Sequence, residues 1–194
     1  MADTARPRFW NVPNSLTMSR LVMAVVVFML IAQAYYTAAL IVFGLAALTD
    51  ALDGYLARLL NQATALGRQL DPLVDKVIVS GGLIYLLTVA GTGLAPWMVT
   101  AIIVRELLIQ GLRSHLEGRG EAFGARWAGK LKTTFQCLAI AAILLSLIIQ
   151  PGPAWLFTRD VVTWLAVILT VYSGLSYLVA GLPKLQADLS TSTS

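Results

Sequence analysis

The chain has 194 residues, of which 58% are hydrophobic and only 12% charged, with a formal net charge of +4 and a mean hydropathy of +0.76. Soluble domains carry about 25% charged residues, so this composition excludes an ordinary soluble domain and points to a polytopic membrane protein. The surplus of cations suits attraction to anionic lipid. Because Lys and Arg are spread over helix ends and form no extended polar face, nucleic acid is not expected as a partner.

Six apolar runs are long enough for bilayer-crossing helices of about 20 residues each: 16–33, 36–58, 72–91, 95–115, 131–150 and 161–182. The expected fold is therefore all-α, a polytopic membrane bundle of six transmembrane helices with a short N-terminal interfacial arm. Residues 1–12 are read as the arm, 13–184 as the membrane domain and 185–194 as a flexible tail. The turns near 33–36, 91–95 and 150–160 hold only Arg159 among Lys and Arg, whereas the N-terminus and the loops around 58–71 and 113–132 hold most of the others. By the positive-inside rule, both termini and the cluster of Asp50, Asp53, Asp71 and Asp75 face the cytoplasm. A plasma membrane, or a bacterial-type inner membrane, is the expected location.

The arm carries Arg6, Arg8, Phe9 and Trp10, a composition suited to the headgroup layer. Nothing before Thr17 resembles a cleavable signal peptide, so the first helix is expected to stay as an anchor. Asn14 or Ser15 offers a cap beside Pro13. Arg20 lies inside the first helix and either snorkels to the interface or reaches a polar site.

The second helix opens at Tyr35 and Tyr36 and ends with Asp50, Asp53, Gly54 and Arg58. A glycine inside a helix costs about 1 kcal/mol against alanine. Gly54 therefore marks close approach of another helix or of a ligand, and the two carboxylates before it favour the ligand. Asp71 and Pro72 open the third helix, where Asp71 can act as a cap. Asp75, one turn deeper, has no capping role to explain it, and Lys76 beside it points about 100° away.

Asp50 and Asp53 are spaced i,i+3, and Asp71 and Asp75 i,i+4, so each pair projects from one helix face. A charge in or near a bilayer core costs at least a few kcal/mol unless it has a partner. Four oxygen ligands on two facing helices suit hard divalent cations, Mg2+ or Mn2+, and two such ions about 4 Å apart form a clamp for displacement at phosphorus.

The fourth helix carries Arg105, Glu106 and Arg113. Neighbouring side chains on a helix diverge, so Arg105 and Glu106 are each expected to find a partner elsewhere. A Gly-rich, charged loop follows, the longest cytoplasmic connection and one able to cover the site. The fifth helix then opens with Gly129, Lys130, Lys132 and Thr133. Cations and a hydroxyl near a helix N-terminus favour an anion, and Arg105, Arg113, Lys130 and Lys132 outnumber what topology requires. The sixth run has no charge and two tyrosines, and is read as scaffold or as the surface of a homodimer. Cys137 is the only cysteine, which excludes an internal disulfide and a thiolate metal site; helix packing is its expected role. His115 is not expected to bind a metal.

The run from Asp50 fits DxxDGxxARx(8)GxxxDxxxD at every position: Asp50, Asp53, Gly54, Ala57, Arg58, Gly67, Asp71 and Asp75. This resembles the signature of the CDP-alcohol phosphotransferases, six-helix membrane enzymes that join an alcohol to a phosphatidyl or similar group and release CMP. The resemblance implies two divalent ions on Asp50, Asp53, Asp71 and Asp75, with Asp75 as general base. It also implies a CDP site at Asp50, Asp53, Gly54, Ala57 and Arg58. The segments NVPNSLTMSR, RELLIQGLR and GKLKTTFQ resemble the branch of the family that uses CDP-diacylglycerol and glycerol 3-phosphate. That branch implies an acceptor-phosphate site at Arg105, Arg113, Lys130, Lys132 and Thr133. Phosphatidylglycerol or an inositol phosphate are alternative acceptors for the same chemistry.

Two other classes use intramembrane carboxylates. A prenyltransferase also binds Mg-diphosphate through aspartate pairs, but its motifs lie far apart in a larger bundle. A metal carrier or ion-coupled transporter favours an internal repeat and midplane charges, whereas here no repeat is visible and the charges lie toward one side.

Overall fold

The computed structural model describes the backbone of residues 12–60, 65–118 and 127–191, and the side chains of residues 18–49, 73–116, 118, 129 and 131–182. The described residues form six helices and no strand: α1 (Val12–Ala32), α2 (Tyr36–Leu60), α3 (Ala65–Leu87), α4 (Pro96–Gly118), α5 (Trp127–Ile149) and α6 (Pro153–Thr191). The all-α expectation holds. The N-terminal arm and the connection between α4 and α5 lie outside the described residues.

Several boundaries differ from the sequence reading. α1 starts at Val12, which places Asn14 and Ser15 inside its first turn and leaves Pro13 where a missing N–H does no harm. α3 starts at Ala65, so Asp71 is no N-cap and Pro72 lies about two turns inside the helix. α6 starts at Pro153, whose fixed φ suits the first helical position; most of the expected 150–160 loop is helix. At its other end α6 runs on through Thr191, so no helix end marks the expected tail boundary after residue 184.

The α1–α2 turn is closed by a Schellman pattern. Tyr35 N–H bonds Leu30 O at 2.9 Å and Ala34 N–H bonds Ile31 O at 3.0 Å, with Ala34 at φ 60°. Glycine is the usual residue there, because a Cβ costs about 1 kcal/mol or more in the left-handed region. Ala34→Gly therefore raises stability by up to about 1 kcal/mol, read as a higher unfolding temperature in detergent with unchanged activity.

The main core lies toward the end closed by this turn and the 88–95 and 150–152 connections. Ile31 of α1, Phe43 of α2, Leu83 and Leu86 of α3, Ile102 of α4 and Ile143 of α5 meet there, all buried. α1 and α3 approach closely: a Cβ on Gly81 would collide with the Phe28 ring. Arg159 ties the same end together, donating to Gly91 O at 2.7 Å, to Ser146 Oγ at 3.4 Å and to Asp160 Oδ1 at 2.7 Å. The bonds to Gly91 and Ser146 link α6 to the α3–α4 connection and α5, so the one cation of the expected outer loops is a structural knot.

The outside of the bundle is apolar. Val22 and Met29 on α1, Leu107 and Leu108 on α4, and Phe157 and Val179 on α6 are all exposed, while Arg20, Glu106, Lys132 and Arg159 are buried. An apolar exterior around a charged interior is the arrangement expected of a protein solvated by lipid. Among the described residues, Leu131–Ile149 and Pro153–Leu182 are long and apolar enough to cross a membrane. Met18–Ala32 and Tyr36–Thr49 are apolar but shorter, and Asp75, Lys76, Arg105, Glu106 and Arg113 interrupt α3 and α4.

Candidate active site

At the end of the bundle opposite the core, α3, α4, α5 and α6 surround a cavity of about 390 Å3. Helical period decides which residues line it. Asp75, Lys76, Val79 and Ser80 come from α3; Arg105, Glu106, Ile109, Gln110 and Arg113 come from successive turns of α4. Gly129, Lys132, Thr133 and Gln136 supply the α5 wall, and Tyr177 the α6 wall. Four cationic side chains face two carboxylates among the described lining residues, so the cavity favours an anion.

Asp75 is held from outside the cavity. Arg20, 3% exposed, donates from Nη1 to Asp75 Oδ1 at 2.5 Å. Of the two readings left open for Arg20, the polar site is the correct one. The Asp75 side chain itself is 39% exposed, which leaves it accessible from the cavity.

Glu106 is the hub of the α4–α5 wall. Its Oε1 accepts from Lys132 Nζ and from Arg105 Nη1 at 3.2 Å, and all three residues are buried. The expectation that Arg105 and Glu106 diverge is thus corrected for Arg105. Their Cβ atoms do diverge, but the arginine stem is long enough to fold back on its neighbour, while Glu106 also finds the distant partner expected of it. A buried carboxylate shared by two cations offsets much of their desolvation. Lys76, expected to point away from Asp75, lines the same cavity and donates from Nζ to Gln110 Oε1. Gln136 is buried on the α5 wall and donates from Nε2 to Thr170 Oγ1 of α6 at 2.8 Å.

Of the residues singled out in the sequence, the structure thus brings together Asp75, Arg105, Arg113, Lys132 and Thr133. Positions 50 and 53 lie one turn apart on continuous α2, and 71 and 75 one turn apart on continuous α3. The side chains of Asp50, Asp53, Gly54, Ala57, Arg58, Asp71 and Lys130 lie outside the described residues. Among the described residues no group of three His, Cys, Asp or Glu gathers to hold a metal. By the chemistry of its donors, a set of four carboxylates on two helices fits Mg2+ or Mn2+, which take oxygen ligands.

The family described as CDP-alcohol phosphatidyltransferase matches residues 10–172. The chain belongs to this family. Among curated proteins, it is 39% identical to the CDP-diacylglycerol–glycerol-3-phosphate 3-phosphatidyltransferase of Bacillus subtilis, over 87% of this chain and 93% of that protein. The enzyme of the same name from Escherichia coli K12 is 34% identical, over 93% of this chain and 97% of its own length. A probable phosphatidylglycerophosphate synthase of Mycobacterium tuberculosis H37Rv is 38% identical, over 91% of this chain and 84% of its own length.

The cavity of this phosphatidyltransferase-family chain contains residues to which the sequence reading gave no part. Gln110 and Gln136 each sit one turn from a charged lining residue, Glu106 and Lys132, and that i,i+4 spacing was the available signal. Tyr177 belongs to a polar stripe on α6, with Thr163, Thr170 and Ser173, whose helical spacing was visible in an otherwise apolar run. The reading of α6 as scaffold or dimer surface is therefore incomplete, since one of its faces forms a cavity wall.

Proposed function

We propose that the protein transfers the phosphatidyl group of CDP-diacylglycerol to glycerol 3-phosphate, forming phosphatidylglycerophosphate and CMP. The observation that carries this reading is that Asp75 lines the same cavity as Arg105, Arg113 and Lys132. A carboxylate able to accept a proton stands beside cations able to hold a phosphate. The names of the relatives from Bacillus subtilis and Escherichia coli support the same donor and acceptor.

In this reading all six helices cross the membrane, with the cavity and both termini toward the cytoplasm, as the loop charges favour. CDP-diacylglycerol approaches sideways with its acyl chains in lipid. Asp50, Asp53, Asp71 and Asp75 would hold two divalent ions, which when bound neutralise diphosphate oxygens and stabilise the leaving CMP. Gly54 and Ala57 make room for the cytidine end, and Arg58 balances diphosphate charge.

Arg105, Arg113 and Lys132, with Lys130 and Thr133, hold the acceptor phosphate. Arg20 fixes the direction of the Asp75 carboxylate through the 2.5 Å contact. Asp75 takes the proton of the acceptor 1-hydroxyl as that oxygen forms a bond to the β-phosphorus, and the bond from this phosphorus to the CMP oxygen breaks.

The test is conversion of labelled acceptors into lipid by purified protein with CDP-diacylglycerol and Mg2+ or Mn2+. Glycerol 3-phosphate is expected to be incorporated, and glycerol, inositol phosphate and phosphatidylglycerol are not. Preference for another acceptor would overturn the acceptor assignment while retaining the transfer, and no incorporation of any would overturn both.

A further inference from the structure

α6 has no charged residue between Val161 and Leu182, yet it meets a buried cation of the cavity at two points. Gly174 forms a notch for the stem of Arg105, since a Cβ at this position would lie 2.8 Å from Arg105 Cγ. Cγ is near the root of the side chain, so the whole arginine would have to move. Three residues along, the Tyr177 ring lies beneath the guanidinium, its centroid 5.6 Å from Arg105 Cζ. Tyr177 is 5% and Arg105 9% exposed, and a cation over an aromatic face is held most strongly when both are shielded from water.

The guanidinium is tied at one edge to Glu106 by Nη1. Its Nε is buried with no hydrogen-bond partner among the described residues. The stem is fixed by the notch, the plane by the ring and one edge by the carboxylate, so the direction of the remaining N–H groups is set before any ligand arrives. Both α6 residues lie beyond residue 172, where the family match ends.

We propose that Gly174 and Tyr177 are positioning residues that hold the Arg105 guanidinium at the acceptor phosphate, so that an uncharged helix sets acceptor affinity. The proposal rests on the assignment of Arg105 to that phosphate. An internal control exists in the same helix pair. Gly181, seven residues after Gly174, receives Leu112, seven after Arg105, and a Cβ there would meet Leu112 Cδ2 at 2.7 Å. Leu112 packs against the apolar cluster of Ile109, Leu116 and Tyr177 but does not itself line the cavity.

Steady-state kinetics of the purified, Mg2+-loaded protein test the proposal. Tyr177→Leu and Gly174→Ala are each expected to raise KM for glycerol 3-phosphate about tenfold, with KM for CDP-diacylglycerol within about twofold of wild type. Tyr177→Phe keeps the ring and holds the acceptor KM far closer to wild type than Tyr177→Leu does. Gly181→Ala lowers thermal stability without separating the two KM values. In an Arg105→Ala background, Tyr177→Leu adds nothing further to the acceptor KM.

An equal rise in both KM values, an effect of Gly181→Ala like that of Gly174→Ala, or full additivity with Arg105→Ala would each reduce α6 to packing and overturn the proposal. If Arg105→Ala raises the acceptor KM and the α6 variants do not, the α6 proposal alone falls. If Arg105→Ala leaves the acceptor KM unchanged, the phosphate assignment falls and the proposal with it.

Discussion

Asp75→Asn is expected to lower turnover by about 10^3-fold, within the range supplied by a positioned general base, while KM for CDP-diacylglycerol changes only a few-fold. The amide has the shape of the carboxylate but cannot accept the hydroxyl proton. The substitution also removes the charge that Asp75 presents to Arg20, which is 3% exposed, and leaves a neutral amide oxygen as the acceptor. Breaking a fully buried ion pair costs about 3–5 kcal/mol, and the 39% exposure of the Asp75 side chain places the cost here below that range. Arg20→Gln separates the two effects. It breaks the same ion pair and keeps the carboxylate, so it lowers thermal stability as Asp75→Asn does but retains far more turnover. Turnover of Asp75→Asn near that of wild type would remove Asp75 from the role of base.

Lys132→Ala is expected to raise KM for glycerol 3-phosphate by about 10^2-fold, the order of a charge-assisted hydrogen bond lost from a buried site. KM for CDP-diacylglycerol should stay within about threefold, because the donor end of the site is assigned to residues of α2 and not to α5. The loss of Lys132 also leaves Glu106 with Arg105 as its cavity partner. Arg105 is then drawn closer to the carboxylate, which adds to the acceptor effect without touching the donor. Initial-rate kinetics with each substrate varied in turn check this. A parallel rise in both KM values would mean that the cations serve the bundle as a whole.

The two variants probe features that were unequally visible in the sequence. The existence of six helices followed from apolar runs separated by turns. Their ends did not, because residues 65–71 and 153–160 are polar or carry proline and arginine, yet they extend helices whose apolar faces lie further along. Arg105, Arg113 and Lys132 could be grouped in advance because their charges outnumber what topology requires, whereas Asp75 groups with the other aspartates and Thr133 joins the phosphate site through the family resemblance; the cavity brings all five together. The pairing inside that group was not legible. Helical angles separate the Arg105 and Glu106 Cβ atoms, but they do not limit where a long side chain ends, and the 3.2 Å contact depends on that reach. Gly174 and Tyr177 were harder still to see, since a notch and a ring face act across a helix pair and neither residue carries a charge.

The most direct test of the central claim is the amount of CMP released per lipid formed by the purified protein, given CDP-diacylglycerol and Mg2+ with and without glycerol 3-phosphate. CMP and phosphatidylglycerophosphate formed in equal amounts, only when both glycerol 3-phosphate and the divalent ion are present and not after EDTA, is the predicted result. CMP released equally well without any acceptor, or no CMP under any of these conditions, would contradict it.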